Sequence, residues 1–438
     1  MEKRVVGEEY DGERLVRSWV FENETEAVQS ISDASQDPSL LRWLKKGFLP
    51  DKYPDSVTPD YIDFQIWDSI QALCSYVRGM ICNNAILTGI GVGKEAASPL
   101  IAVFQFFLRD LAGMCGGVLF AFAQGSELDA YAKQWRLFAD IFNNFGYALD
   151  LLSPIFPDHF LLLACLGSLA RAVTGVAGGA TRAALTQHFS KAGNAADISA
   201  KEGSQETATT LVGMVVGMLF LRSAAESPVA VWTVFLSFTF LHIYANVKAV
   251  RALQLTSLNR SRMDILLQHC SATKVNGNGR VLPPVEVAKI EPLLPPAVTE
   301  FLKWILCIHL WRPSKRLVIG ARLSELPLER TLARMDSNAD MKLIIALDKS
   351  GREASVVLRR DACPEDILKA YVQGYLLLHS TAPVEQRHRR VDDWMAEEWP
   401  AFQGMLQSRG WALDRIALCS SSWRGAWGNS LHHHHHHD

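Results

Sequence analysis

The side chains in this sequence with chemistry to offer are a few ionisable groups set among small and apolar residues. One group is Arg182, His188, Lys201 and Gln205, carried on the stretches Gly178–Phe189 and Asp197–Glu206. Arginine holds a phosphate or carboxylate as a planar fork, and lysine acts as a point charge. Arg182, His188 and Lys201 therefore suggest a site for a small anion, with Gln205 one helical turn from Lys201. A second group is Arg109-Asp110 together with Lys133-Gln134-Trp135-Arg136-Leu137-Phe138-Ala139-Asp140. Arg136 and Asp140 are four apart and can pair on a helix, and Lys133 lies one turn before Arg136. Burying an unpaired charge is costly. Arg109, Asp110, Lys133, Arg136 and Asp140 are accordingly read as structural or gating pairs.

Catalytic constellations are missing. The sequence has no Gly-x-Ser-x-Gly elbow, no His-Glu-x-x-His and no clear nucleophile–base pair, so no residue is named as catalytic and a non-enzymatic role is expected. Gly89-Ile90-Gly91-Val92-Gly93-Lys94 looks like a phosphate loop, but Glu95 stands where a Walker loop needs Ser or Thr. It reads as a hinge between two helices. The eight cysteines form no Cys-x-x-Cys pair and lie mostly in apolar runs, which fits buried thiols in a reducing compartment and no metal site. Residues 429–438, with their run of histidines, read as a purification tag and are left out of metal reasoning.

The elements that must position these residues are helices of unusual apolarity. The 438 residues are 49% hydrophobic and 21% charged, with 44 Lys+Arg against 46 Asp+Glu. That balance excludes a broad basic face for nucleic acid. Ser227–Val247 has no Asp, Glu, Lys or Arg, and a bilayer core takes about 20 such residues as a helix. Lys248, Arg251, Arg260 and Arg262 follow it, which places that flank and the C-terminal domain in the cytosol by the positive-inside rule. Weaker candidate spans are Leu111–Ser126, His159–Thr181 and Thr207–Leu221. Glycine pairs at Gly113/Gly117, Gly175/Gly179 and Gly213/Gly217 permit close helix crossings. The fold class expected is a mainly α, membrane-associated helical bundle followed by a small α+β C-terminal domain.

The chain divides into a polar region at 1–55, a helical core at 56–270, a Pro/Gly-rich linker at 271–300 and the α+β domain at 301–428. A helix is expected over Thr25–Lys46. In the last domain, Met341–Asp348 and Glu353–Arg360 predict a hairpin, Pro364–Leu378 and Val391–Arg409 predict helices, and Trp411–Leu418 predicts a third strand. The acid-rich stretch Met1–Glu26 carries neither the apolar core of a signal peptide nor the basic composition of a transit peptide. An intracellular membrane is the expected location.

Several of these stretches resemble the root UVB sensitive (RUS) family. They are Tyr53-Pro54-Asp55-Ser56-Val57, Tyr61–Leu73, Gly89–Gly93, Arg109-Asp110, Lys133–Asp140, Ala180-Thr181-Arg182 through His188, Ala200–Glu206 and Leu258-Asn259-Arg260. Together they cover roughly residues 48–265 in order. The resemblance implies a domain acting in vitamin B6 homeostasis and photoprotection, membrane association, and a link to the UV-B response. On it rest three expectations. The first is a protein that binds or moves a small anionic metabolite such as a pyridoxal phosphate-like ligand. The second is a membrane-anchored interaction scaffold. The third is a B6-linked enzyme with Lys201 as a Schiff base. The partners expected are membrane lipid and either a second copy or another member of the same family.

Overall fold

The computed structural model describes residues 3–11, 14–22, 27–32, 39–91, 98–274, 280–306, 315–326 and 340–427. Contact density divides the chain into two compact units. One comprises residues 1–85 and 182–245, the other residues 86–181 and 246–438.

The first unit opens with an antiparallel meander of β1 (Lys3–Asp11), β2 (Arg14–Glu22) and β3 (Ala27–Ser32). The expected helix over Thr25–Lys46 is thus corrected at its start. Val28, Ile31 and the neighbouring Ser30 and Ser32 favour extended backbone, and they pair with β2. Only after Pro38 does α1 (Ser39–Phe48) begin. The helix α2 (Tyr61–Ile90) follows; Gly91, at φ +95°, ends it in the left-handed conformation that glycine adopts freely. The rest of the expected hinge, residues 92–97, lies outside the described residues. Within this unit the first part of α2 packs on the end of α5 (Phe160–Phe189), with Tyr61 edge-on to Phe189 at 5.3 Å between ring centres. It also packs on α6 (Ala195–Ala224) and on the start of α7 (Pro228–Ala252), where Trp67 meets Tyr244 at 5.7 Å.

The second unit holds α3 (Pro99–Ala130), α4 (Ala132–Leu152), the greater part of α5 and the end of α7. Leu111–Ser126 is part of the longer helix α3, so Arg109-Asp110 sits inside an apolar helix. Beyond α7, β4 (Ser257–Asn259) leads into α8 (Arg260–Lys274). The Pro-rich stretch read as a linker contains two helices, α9 (Pro284–Ile290) and α10 (Pro296–Ile305). Proline opens each of them, at the one place in a helix where its missing N–H costs nothing.

The C-terminal region is α+β. Its sheet has the order β5 (Arg316–Ile319), β7 (Glu353–Leu358), β6 (Leu343–Leu347). β6 and β7 form the expected hairpin around Gly351, with Asp348 accepting N–H bonds from Arg352 and Glu353 at 2.8 Å each. The next helix is α11 (Pro364–His379). The expected single helix at Val391–Arg409 is two, α12 (Val384–Glu397) and α13 (Trp399–Ser408), because Pro400 cannot sit inside a helix but suits the first turn of a new one. The last strand, β8 (Ala412–Ala417), pairs in parallel with β4, not with the hairpin; β5 takes that third place. Met263, Leu266 and Leu267 of α8 are buried in one core with Val356, Leu368 and Phe402.

Among the described residues, four helical stretches are long and apolar enough to cross a membrane: Pro99–Gly125, Pro157–Phe189, Ala195–Ala224 and Pro228–Ala252. The glycines explain two of their crossings. A Cβ on Gly213 would lie 2.7 Å from the Tyr76 Cβ, and one on Gly217 would lie 2.8 Å from the Met80 Cβ, so α6 crosses α2 at close range. Gly113 faces Ser168 and Gly117 faces Ala172 where α3 meets α5. Gly175 and Gly179 meet nothing within 4 Å. Gly217→Ala should therefore destabilise the purified protein by about 1–3 kcal/mol through overpacking. Gly175→Ala should leave the apparent Tm unchanged or raise it, as alanine favours a helix. Thermal unfolding of the two variants measures the contrast.

Candidate functional site

Three clusters of buried or half-buried charge occur among the described residues. The first lies in the first unit, where the start of α2, the end of α5 and the start of α6 meet. Arg182 pairs with Glu206 at 2.7 Å, and both side chains are about two-fifths exposed. The His188 Nε2 lies 2.9 Å from the Asp60 carboxylate, with both groups nearly buried. Lys201 donates to the Lys46 carbonyl at 2.7 Å and lies 3.9 Å from Asp197. Gln205 donates to the Phe48 carbonyl at 2.6 Å and reaches the Tyr61 hydroxyl at 3.5 Å. Burial raises the Tyr61 hydroxyl to about 12, so it stays a neutral phenol. Buried Glu202 accepts from Gln65 and Thr186 at 2.9 and 3.1 Å. The four residues picked out by sequence thus occupy one region of helix ends, but each is engaged by a different acid or carbonyl. Asp60, Asp197, Glu202 and Glu206 outnumber the cations.

The second cluster sits inside the apolar helices of the second unit. Asp150 of α4, 3% exposed, is bonded by Arg171 of α5 and lies 3.9 Å from Arg109 of α3. Gly167 makes this possible: a Cβ there would stand 2.5 Å from the Asp150 carboxylate. Burial pushes the Asp150 carboxyl up, and the two arginines oppose that shift. Arg109 thus finds its partner across the helix packing and not in neighbouring Asp110. The exposed Asp110 instead lines a groove of about 640 Å³ with Gly113, Gly117, Ser168 and Arg171. The Arg171 Nη2, buried from solvent, has no hydrogen-bond partner.

The third cluster is the most deeply buried. Lys133 at the start of α4 is fully buried and lies 3.5 Å from Glu291, just past α9. Arg262 of α8 meets the same carboxylate at 3.0 Å, and Gln134 donates to it at 2.9 Å. The Lys133 ammonium also donates to the Leu253 and Ala288 carbonyls at 3.2 Å each. Arg251 at the end of α7 donates to the Glu291 carbonyl at 2.9 Å. Burial lowers the Lys133 ammonium to about 8, with Glu291 working against the shift. For Glu291, burial alone would raise the carboxyl, but Arg262 and Lys133 bring it below the ordinary carboxylate range. Asn259 donates to the Ala130 carbonyl at 2.8 Å and caps α8 through the Arg262 N–H. Two stretches that carry the RUS resemblance, Lys133–Asp140 and Leu258-Asn259-Arg260, are therefore joined in space.

Lys133 and Arg136 are both buried, with Asp140 half-buried one turn on. The partners Glu291, Arg262 and Asp150 were missed. Glu291 sat in an apparent linker, Arg262 in a basic flank, and Asp150 in an ordinary helix end. The one available signal was an isolated acid between prolines, Glu291-Pro292. Among the described residues no three His, Cys, Asp or Glu side chains gather as metal ligands.

Glu291→Gln leaves two buried cations without their acid. It should cost about 3–5 kcal/mol, and Lys133→Met, which leaves Arg262 and Glu291 paired, should cost less. The sign with pH follows from the lowered Glu291 carboxyl. Its contribution is complete above its ordinary value of 4.5 and is lost as pH falls through the lowered one. Unfolding curves measured down to acidic pH should show that loss in the unsubstituted protein and not in Glu291→Gln.

Comparison with known proteins agrees with the resemblance. The family description "Vitamin B6 photo-protection and homoeostasis domain" matches residues 34–274, and "Root UVB sensitive protein, C-terminal" matches residues 306–427. The chain is 43% identical over 393 residues to protein root UVB sensitive 3 of Arabidopsis thaliana, covering 89% of this chain and 87% of that one. It is 46% identical over 250 residues to RUS family member 1 of Dictyostelium discoideum, covering 56% of this chain and 47% of that one. Protein root UVB sensitive 5 of Arabidopsis thaliana is 25% identical over 92% of this chain and 81% of its own length. No solved structure matches the chain. With both parts of the chain matched and a relative this similar along nearly all of it, the protein belongs to the root UVB sensitive (RUS) family.

Proposed function

We propose that the protein is an integral protein of an intracellular membrane, and that the groove between α3 and α5 binds a small phosphorylated metabolite in vitamin B6 homeostasis. The observation that carries this reading is the apolar surface the long helices turn outward. Phe122 and Leu100 on α3 are 92% and 78% exposed, and Phe240 on α7 is 75% exposed. Leu211, Val215, Met218 and Leu219 on α6 are exposed as well. Water tolerates apolar patches of a few hundred Å² on a monomer, and lipid tolerates an entire helix face. The basic end of α7 faces the cytosol in this reading, although Arg251 and Arg262 are also taken up by the Glu291 cluster.

The groove supports the ligand. Asp110 lies near the middle of the α3 span, and a bare acid there costs about 2.5–3.5 kcal/mol against hydrocarbon. Water or a polar ligand in the groove removes that cost. Arg171, a cation lining the groove, suits a phosphate, and Asp110 suits the cationic ring nitrogen of a B6 vitamer. Arg182, His188, Lys201 and Gln205 support a second such site less well, because a ligand there must displace Glu206 and Asp197.

Binding of pyridoxine 5′-phosphate to the full chain in detergent tests the reading; this ligand has no aldehyde to react with surface lysines. Arg171→Ala should weaken binding about tenfold, the worth of one charge-assisted contact. Arg182→Ala should leave it unchanged. No binding, or loss in Arg182→Ala but not in Arg171→Ala, would contradict the groove assignment.

A further inference from the structure

We infer that α10 is an interfacial helix that lies on the lipid surface beside the exit of α3 and fixes the depth of the second unit in the bilayer. The inference rests on the membrane placement proposed above. Along α10 an apolar stripe runs through Val298, Phe301, Leu302 and Ile305, with Trp304 at its edge and Thr299, Glu300 and Lys303 on the other side. The stripe begins on protein. Val298 packs against the cluster of Leu128, Tyr131, Trp135 and Ala177. Leu128 and Tyr131 follow directly on Gly125, where the apolar span of α3 ends. The same stripe then continues into the open: Phe301, Trp304 and Ile305 are 58%, 65% and 51% exposed. No residue of α10 is buried.

A helix that is bound at one end and, among the described residues, bare along the rest of its apolar face calls for a cover, and its position says which. Since α3 leaves hydrocarbon at Gly125, Val298 sits at the height of the headgroups. There a tryptophan finds both an apolar bed for its ring and water for its N–H. The Phe301 and Trp304 rings stack with centres 6.3 Å apart, giving one flat aromatic face. On the polar side, Lys303 pairs with Glu300 at 2.7 Å, so that face carries charged groups suited to water and headgroups. A second copy of the chain would also cover the stripe, but it gives no account of the height.

The test uses the full chain reconstituted in vesicles of phosphatidylcholine and phosphatidylglycerol, with lipids brominated either near the headgroup end or near the middle of their acyl chains. The difference in fluorescence between the unsubstituted protein and Trp304→Phe isolates Trp304, and Trp232→Phe does the same for α7. Trp304 should be quenched at least twofold more by the shallow bromines than by the deep ones, and hardly by aqueous acrylamide. Leu302→Glu, on the same stripe, should reduce that quenching. Quenching of Trp304 by acrylamide and not by bromine would overturn the inference, as would quenching by neither, which means a protein cover. If Trp232 is quenched by bromine while Trp304 is not, only this inference fails. If neither is quenched, the membrane placement fails with it.

Discussion

The structure depends on where apolar side chains can go. In an ordinary domain, a helix buries one stripe and shows a polar face to water. Here α3, α6 and α7 bury little and turn phenylalanine, leucine, valine and methionine outward. Burial is worth about 25 cal/mol per Å², so faces of this size in water would carry a penalty of many kcal/mol. The glycine crossings fit the same constraint. Where lipid surrounds the helices, apolarity does not drive them together, and close backbone approach at Gly213, Gly217 and Gly113 does that work instead.

The second consequence concerns charge. Charges inside apolar helices must find partners, and in the second unit they find them across long sequence distances. Lys133 and Arg262 share Glu291, and Arg171 and Arg109 share Asp150. The first arrangement joins the start of α4, the end of α7, α8 and the segment after α9. It thus ties the helical part to the segment that leads into the C-terminal region. Arg260 adds to this tie by donating to the Leu317 carbonyl at 3.1 Å and to the Leu418 carbonyl at 3.3 Å. The second arrangement sets Arg171 beside a groove that Asp110 also lines.

Much of the architecture was legible in the sequence. Runs of fifteen to more than twenty residues with at most one charge identified all four long apolar helices, because hydropathy needs no knowledge of contacts. The hairpin at Leu343–Leu358 and the helix opened by Pro364 followed from local turn and capping chemistry. What stayed hidden was whatever depends on distant partners. β8 looks like the third strand of the hairpin sheet, but it pairs with the three residues of β4. Val28 and Ile31 sat in a helical reading until β2 claimed them. The anion site drawn from Arg182, His188 and Lys201 rested on cations alone. Asp60 lies 128 residues from His188, and Glu206 is on the helix after that of Arg182; only Asp197, four residues before Lys201, was in local view.

The central claim is that the apolar helices lie in lipid. Alkaline carbonate extraction of native membranes tests it most directly, since high pH strips proteins held by charge or by other proteins and leaves those with spanning helices. The account predicts that the full chain stays in the membrane pellet and is released only by detergent. Release into the carbonate supernatant as a soluble protein would contradict it.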